Sequence, residues 1–335
     1  MRQVVIPMSL ARAPAIAPAE DCLQLAGETM GTTWQVRVHA PADAATGLQR
    51  LIDTTLALVV RQMSHWEAAS DLSRFNVAAA GTGITLPDPL FDLLTRAQRI
   101  AAATGGAYDA TAGALVRRWG FGADRARLKP DFQIPDAADI ELLRARGGWR
   151  RLLLEPAAQR AWQPGGLELD LSAIAKGFAV DLVATRLLRE GFAAHLVEIG
   201  GELRGAGVKP DAQPWWVSLE PPEAGALADE TVIALCDRAV ATSGDYRRNY
   251  EHGGQRYAHT IDPRTGRPVD NDLAAVTVIS EECWHADAIS TALMVMGADE
   301  GCVYADRHDI AARFVRRTET GYRECRSRVW GDMLL

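Results

Sequence analysis

Apolar residues along the chain recur at two periods, and they divide it into short strands and amphipathic helices of similar weight. Leu167, Leu169 and Leu171 alternate with Glu168 and Asp170, the period-two mark of a short strand ending in an acid. Ile174, Phe178, Leu182 and Val183 then fall at helical spacing, as do Val180, Leu187 and Leu188. A helix is therefore expected over 173–190, with Ser172 as its cap and Gly191 at its C′ position. Residues 194–199 read as a second strand, turned by Gly200-Gly201. The rest of the chain is arranged around this strand–helix–strand unit. Upstream, 25–38 predicts a strand pair or bent strand with Gly27 and Gly31 as flexible points. Helices are expected over 46–63, through Leu48, Leu51, Ile52, Thr55 and Val59, and over 87–103, through Leu90, Leu93, Leu94, Ala97 and Ile100. Between them, 63–76 reads as a polar loop with embedded aromatics. Residues 104–122 are punctuated by glycine, 139–146 suggest a short helix and 152–162 a hairpin. Downstream, strands are expected over 215–220, 231–235, 274–279 and 311–315, and an apolar helix over 286–296. Strands and helices mix without strict alternation, which predicts an α+β or mixed α/β fold.

Composition narrows the class. The 335 residues suffice for one large or two ordinary domains, and 48% hydrophobic with 24% charged residues is globular composition. A net charge of −7 with no basic run argues against a nucleic-acid partner. Five widely spaced cysteines include no CxxC and cannot all pair, so neither a disulfide framework nor a zinc site is expected. No apolar run reaches membrane-spanning length. At the N-terminus, Arg2 precedes a weakly apolar stretch rich in Ala and Pro, interrupted by Arg12, with Ala15-Ile16-Ala17 resembling a cleavage site. Cys22 follows Glu20-Asp21, a poor context for lipid attachment. Residues 1–24 are read as a disordered lead-in or a degenerate signal, and 25–335 as a single domain.

Several constellations could carry chemistry, and each has an ordinary structural reading beside it. Asp170, Lys176 and a helix N-terminus fall at one end of the central unit. A lysine in a first turn opposes the helix dipole, and an anionic ligand on free N–H groups would explain it, with Gly177 making room; a solvated lysine is the plain alternative. Asp287 and Thr291 lie four apart on one helix face, beside Ser290, and suit a hard cation such as Mg²⁺; a dipole-stabilised Asp and a buried Thr would look the same. His259 precedes a tight turn and is a candidate general base or a half-buried structural histidine. ATSGDYRR supplies Ser243, Asp245, Arg247 and Arg248, arginines that could meet phosphate or pair with surface acids. Trp66, Tyr108, Trp119 and Phe121 could stack on a flat ring or fill a core.

In order, ETMGTTW, MSHWEAASDLSRFN, TGGAYDATAGALVRRWGFG, LDLSAIAKGFAVD, LVEIGGELRG, ATSGDYRR, YAHTIDPRTGRPV and ADAISTALMVMG resemble the successive motifs of the ApbE family, whose members are FAD:protein FMN transferases. The resemblance runs from about Glu28 to Gly297. It implies an α+β fold with a T-fold-like core of mixed sheets and packed helices. It also implies a reaction in which FAD is the substrate, its pyrophosphate is split with Mg²⁺, FMN passes to a Thr or Ser hydroxyl of an acceptor flavoprotein, and AMP leaves. Carried over residue by residue, it implies that Met30, Trp66, Ala107, Tyr108, Asp109, Asp170, Lys176 and Ile261 contact FAD. Mg²⁺ would be held by Asp287, Thr291, the Ser290 region and the carbonyl of Ala173, and His259 would stand at the reacting centre. Trp66 departs from the tyrosine usual at its position and keeps an aromatic ring while changing the polar handle. The resemblance implies work on the periplasmic side of the inner membrane. The N-terminal segment carries no convincing signal, so the cytoplasm stays open, as does a homodimer. Two alternatives remain: an FAD pyrophosphatase using the same metal with water as acceptor, which relatives mark with an asparagine near the Trp66 position, and a non-enzymatic FAD carrier, against which the Asp287–Thr291 pair argues.

Overall fold

In the computed structural model, all residues are described except Met1, 8–12, Pro130, 224–226, Ala228 and Arg247. Among the described residues the body is an eight-stranded antiparallel sheet. It contains β2 (Cys22–Thr29), β3 (Thr32–His39), β7 (His195–Ile199), β8 (Glu202–Ala206), β11 (Arg238–Gly244), β16 (Leu273–Ser280), β17 (Ala311–Thr318) and β18 (Gly321–Arg326), in the spatial order β18-β17-β16-β11-β8-β7-β3-β2. The hairpin expected over 25–38 is β2–β3. Its two-residue tip, Met30-Gly31, has φ of 48° and 72°, the left-handed pair that a tight hairpin of matching twist requires. Helices α1 (Ala45–Met63), α3 (Asp88–Ala103), α6 (Ala175–Arg189), α7 (Cys283–Met296) and α8 (Ala298–Arg307) supply one large core with the sheet. Smaller sheets flank it: β1 (Arg2–Val5) with β10 (Glu230–Leu235) and β9 (Trp215–Ser218), and β4 (Thr82–Thr85) with β6 (Arg160–Gln163) and β5 (Leu153–Glu155). Two hairpins, β12 (Asn249–His252) with β13 (Gln255–Ala258) and β14 (Ile261–Asp262) with β15 (Arg267–Pro268), carry the YAHTIDPRTGRPV segment. The architecture is α+β, as expected.

Four expectations change. The polar loop over 63–76 contains helix α2 (Asp71–Asn76), started by Ser70, whose side chain accepts from Ser73 N at 2.9 Å, and anchored by buried Leu72 and Phe75. Leu167–Leu171 is extended and buried but is no sheet strand. Its backbone is tied to residues 110–113, with Asp170 N donating to Ala110 O at 2.8 Å and Gly113 N to Glu168 O at 3.1 Å, and to side-chain amides: Asn76 bonds both Leu169 N (2.8 Å) and Leu169 O (2.9 Å), and Gln163 does the same for Leu167 at 3.1 and 3.0 Å. Ser172 does not cap α6, which begins two residues later than expected. Asp170 instead accepts from Ser172 N at 2.8 Å and turns the chain before the helix. The expected disordered lead-in does not hold for its described residues: β1 pairs in parallel with β10, and Ala17 N donates to Val208 O at 2.8 Å. Arg12 lies outside the described residues. After β17 the chain runs through β18 into α9 (Arg328–Asp332), and α4 (Gly113–Arg118) and α5 (Ala137–Arg146) are the remaining α-helices among the described residues.

Candidate active site

The central helix α6 and the apolar helix α7 meet at their N-terminal turns, and the site grows from that contact. α7 begins without a cap of its own; Asp181 of α6 accepts from Trp284 N at 2.9 Å and ties the two helices together. A side chain on Gly177 would stand 2.4 Å from Cys283 O and 2.8 Å from Trp284 Cα. The close approach foreseen at Gly177 is therefore by the backbone of α7, and a ligand is not what requires it. Gly177→Ala is expected to push α6 and α7 apart, with a cost of about 1–3 kcal/mol and a melting temperature lower by several degrees; an unchanged melt would show that the contact is slack.

With the helices this close, Gly177 N–H donates to Asp287 Oδ2 at 3.0 Å. In a continued helix that N–H would meet the carbonyl of Ala173, so this carbonyl lies where the ladder of α6 has not yet begun. On the other side of Asp287, Ser290 Oγ and Thr291 Oγ1 both donate to the Asp287 carbonyl, at 2.9 and 3.3 Å, and Ser243 Oγ from β11 lies 2.9 Å from each hydroxyl. Ser290 and Thr291 thus meet the main chain of Asp287, whose carboxylate is turned to the Gly177 N–H. Ser243 joins them from the ATSGDYRR segment.

Lys176 does not wait for a ligand. Its Nζ pairs with Glu202, the first residue of β8, which is 3% exposed. Sequence reasoning missed Glu202, although an acid directly after the Gly200-Gly201 turn and facing the start of α6 was the available signal. Burial works against the Lys176 ammonium, but Glu202 and Asp287 outweigh it and its pKa moves up. Burial pushes Glu202 up to about 7 against the pull of Lys176, and Asp287 is likewise raised by burial, against Lys176 and the Gly177 N–H. Two buried carboxylates share one lysine, and both hold on to protons more than usual.

This imbalance bears on whether the residues fit a metal. The donor set around Asp287 is all oxygen: a carboxylate, two hydroxyls and a main-chain carbonyl. That is Mg²⁺ chemistry, where one or two carboxylates suffice and waters and phosphates complete the shell. A divalent cation would also relieve the excess of buried negative charge. The residues fit.

The other expected site residues are placed unequally. Trp66 is 53% exposed, with the Arg125 guanidinium 5.6 Å from its ring centre and His65 beside it; His65 Nδ1 lies 3.8 Å from Asp170. Of the four aromatics considered for stacking, Tyr108 and Trp119 are buried, and Trp119 donates to Gly266 O at 2.8 Å, so the core reading holds for those rings. The Tyr108 hydroxyl is buried without a partner, and burial together with the nearby Asp287, Asp109 and Asp170 carboxylates raises its pKa. Ala107 is buried next to it. Asp109 is occupied within the protein, accepting from Thr111 N, Thr111 Oγ1 and Trp149 N at 2.8, 2.7 and 2.9 Å. Ile261 packs in a small core with Leu115, Trp119 and Ile140. Asp245 of the ATSGDYRR segment is held by Arg256 and Arg317. Arg247 lies outside the described residues, and Arg248 is exposed.

His259 is held at two points by one carbonyl: its N–H and its Nδ1 lie 3.2 and 3.0 Å from Arg248 O. A carbonyl only accepts, so Nδ1 carries the proton and Nε2 of the neutral ring carries the lone pair. Burial, helped by the Arg248 cation, lowers its pKa to about 4. His195 is depressed to about 4 as well, chiefly by burial, with Nδ1 donating to Phe192 O at 2.8 Å and Nε2 unpartnered. Unfolded, His195 titrates near 6.5; between there and pH 4 the unfolded chain binds a proton that the folded chain refuses, so stability is lost as pH falls. The wild type is expected to lose about 2 kcal/mol more than His195→Gln between pH 7 and pH 5, read by denaturant melts at both pH values; equal losses would mean that His195 is hydrated.

Comparison with known proteins identifies relatives of the whole chain. A family model described as the ApbE family matches residues 30–314. A protein of Vibrio cholerae named FAD:protein FMN transferase is 39% identical over 92% of this chain and 91% of its own length. The Salmonella typhimurium protein of the same name is 35% identical over 94% and 91%. The apo crystal structure of the Pseudomonas stutzeri flavinyl transferase ApbE superposes with a TM-score of 0.86 at 36% identity, covering 94% of this chain and 97% of that one.

Proposed function

The chain belongs to the ApbE family, and from that premise we propose that it is an FAD:protein FMN transferase. It takes FAD as substrate and, with Mg²⁺, transfers FMN to a Thr or Ser hydroxyl of an acceptor flavoprotein. The bond formed joins the acceptor oxygen to the FMN phosphorus. The bond broken is the pyrophosphate bridge, whose electron pair leaves with AMP. The observation that carries this reading is the 39% identity to a protein of that name, spread over nine-tenths of both chains.

Asp287, Thr291, Ser290 and the Ala173 carbonyl would hold the Mg²⁺, which when bound neutralises charge on the pyrophosphate oxygens. Lys176 adds a fixed cation at the same end of α6, held in place by Glu202. His259 Nε2, which carries the lone pair because Nδ1 donates to Arg248 O, takes the hydroxyl proton as the acceptor attacks. The exposed face of Trp66 serves as a platform for a flat ring of FAD.

The test is incubation of the purified chain with FAD, Mg²⁺ and an acceptor carrying a threonine flavinylation motif. Covalent flavin on the acceptor and AMP should appear in equal amounts. AMP without acceptor would make the chain a pyrophosphatase, and neither product would make it a flavin carrier.

A further inference from the structure

The five cysteines read as unpaired along the sequence, yet two of them meet in the fold. Cys302 lies on α8 and Cys325 on β18, 23 residues apart in the chain, and their sulfurs are 3.8 Å apart. The packing beneath explains the meeting. Gly301 faces the ring of Phe314, where an added side chain would stand 2.9 Å from Phe314 Cε1, so α8 lies close on β17. Phe314 is the cross-strand partner of Cys325, and the residue after Gly301 is therefore brought to the residue opposite Phe314. Both thiols are half-buried, within reach of a small reagent. Cys236 and Cys283 are buried, and Cys22 is exposed.

We propose that Cys302 and Cys325 form a modification site, a reversible disulfide that ties α8 to the edge strand of the main sheet. The oxidant is a small-molecule disulfide such as oxidised glutathione. The Cys325 thiolate attacks one sulfur of the reagent and expels a thiolate, giving a mixed disulfide. Cys302, losing its proton, then attacks the Cys325 sulfur and expels the second thiol. Each protein sulfur is oxidised by one electron, and the reagent is reduced to two thiols that take up both protons. Cys325 suits the attacking role: the hydrogen bond from Cys302, helped by Arg316, lowers it to about 7, near the pH at which exchange is fastest. Cys302 is raised by the same contact and resolves the intermediate.

A bond brings the sulfurs to about 2.05 Å, and it closes a loop within one edge of the domain, on the helix that follows the one bearing Asp287, Ser290 and Thr291. The experiment uses the full chain treated with oxidised glutathione, alkylated, digested without reductant and mapped by mass. The expected result is a cross-linked peptide pair containing Cys302 and Cys325, and a melting temperature about 5 °C above that of the reduced protein. Cys325→Ser should keep Cys302 alkylatable and show no such shift. Alkylation of both residues in the treated wild type, a glutathione adduct persisting on Cys325, or a cross-link to another cysteine would overturn the proposal. Should Cys325→Ser fail to fold, the wild-type peptide map decides alone.

Discussion

Asp287→Asn is expected to lose FMN transfer by about 10³-fold while the protein stays folded. The asparagine keeps the shape of the side chain, and its carbonyl oxygen can still accept the Gly177 N–H that Asp287 Oδ2 now takes at 3.0 Å. What it removes is one of two buried carboxylates set against a single lysine. The remaining pair, Lys176 and Glu202, is electrically balanced, so the pull on a divalent cation falls away without leaving a charge stranded. Asp287→Ala is the poorer test, because it leaves the Gly177 N–H buried and unpaired at about 1–3 kcal/mol and confounds lost metal with a loosened α6–α7 contact. The measurements are Mg²⁺ calorimetry in the presence of FAD, single-turnover transfer and a melt. A variant that still transfers at a tenth of the wild-type rate would remove Asp287 from the metal site.

How far the sequence reached depended on what kind of contact each residue makes. Helical periodicity located α1, α3 and α6 to within about two residues, because each buries an apolar face in the core, and found α7, which is buried on nearly every side, from three residues after its start. The same spacing put Asp287 and Thr291 on one face of α7, which holds in three dimensions. Period-two alternation placed the buried leucines of Leu167–Leu171 correctly but not a sheet strand, since Asn76, Gln163 and a short contact with 110–113 satisfy that backbone and no pattern of apolar residues records such partners. The cap assigned to Ser172 failed for a related reason: Asp170 reaches its N–H first and forms a turn there.

Residues whose partners are distant in sequence were the least legible. Lys176 looked like a cation in need of an anion, and it is; the anion nearest to it is the protein's own Glu202, from the hairpin beyond the helix. Gly177 looked like room for a ligand, and the room is filled by Cys283 and Trp284 of a helix more than a hundred residues on. Tyr108 and Trp119 looked like stacking surfaces and are core, while Trp66, in a polar stretch, stays exposed. Motif order, by contrast, carried the family, because eight segments in sequence constrain identity far more than any one of them constrains geometry.

His259→Asn should keep FAD and Mg²⁺ binding and lose transfer by about 100-fold or more, the low end for a general base. The substitution suits this site because the two functions of the ring are separable. Nδ1–H donates to Arg248 O at 3.0 Å, and the asparagine amide can make a similar bond from a similar place. Nε2 has no counterpart in asparagine, so the variant keeps the anchor and removes the base. The pH dependence gives an independent reading. With its pKa near 4, His259 is neutral throughout the range from 6 to 8, and wild-type transfer should show no inflection from it there, falling only as the pH drops toward 4 and the ring takes up its proton. In the variant the residual rate should lack that acid limb. Covalent flavin on a threonine acceptor, followed by gel fluorescence across pH 4.5 to 8, measures both effects. If FAD affinity falls in step with transfer, His259 binds the substrate and the proton leaves by another route. With Asp245 already held by Arg256 and Arg317, that route would have to be solvent.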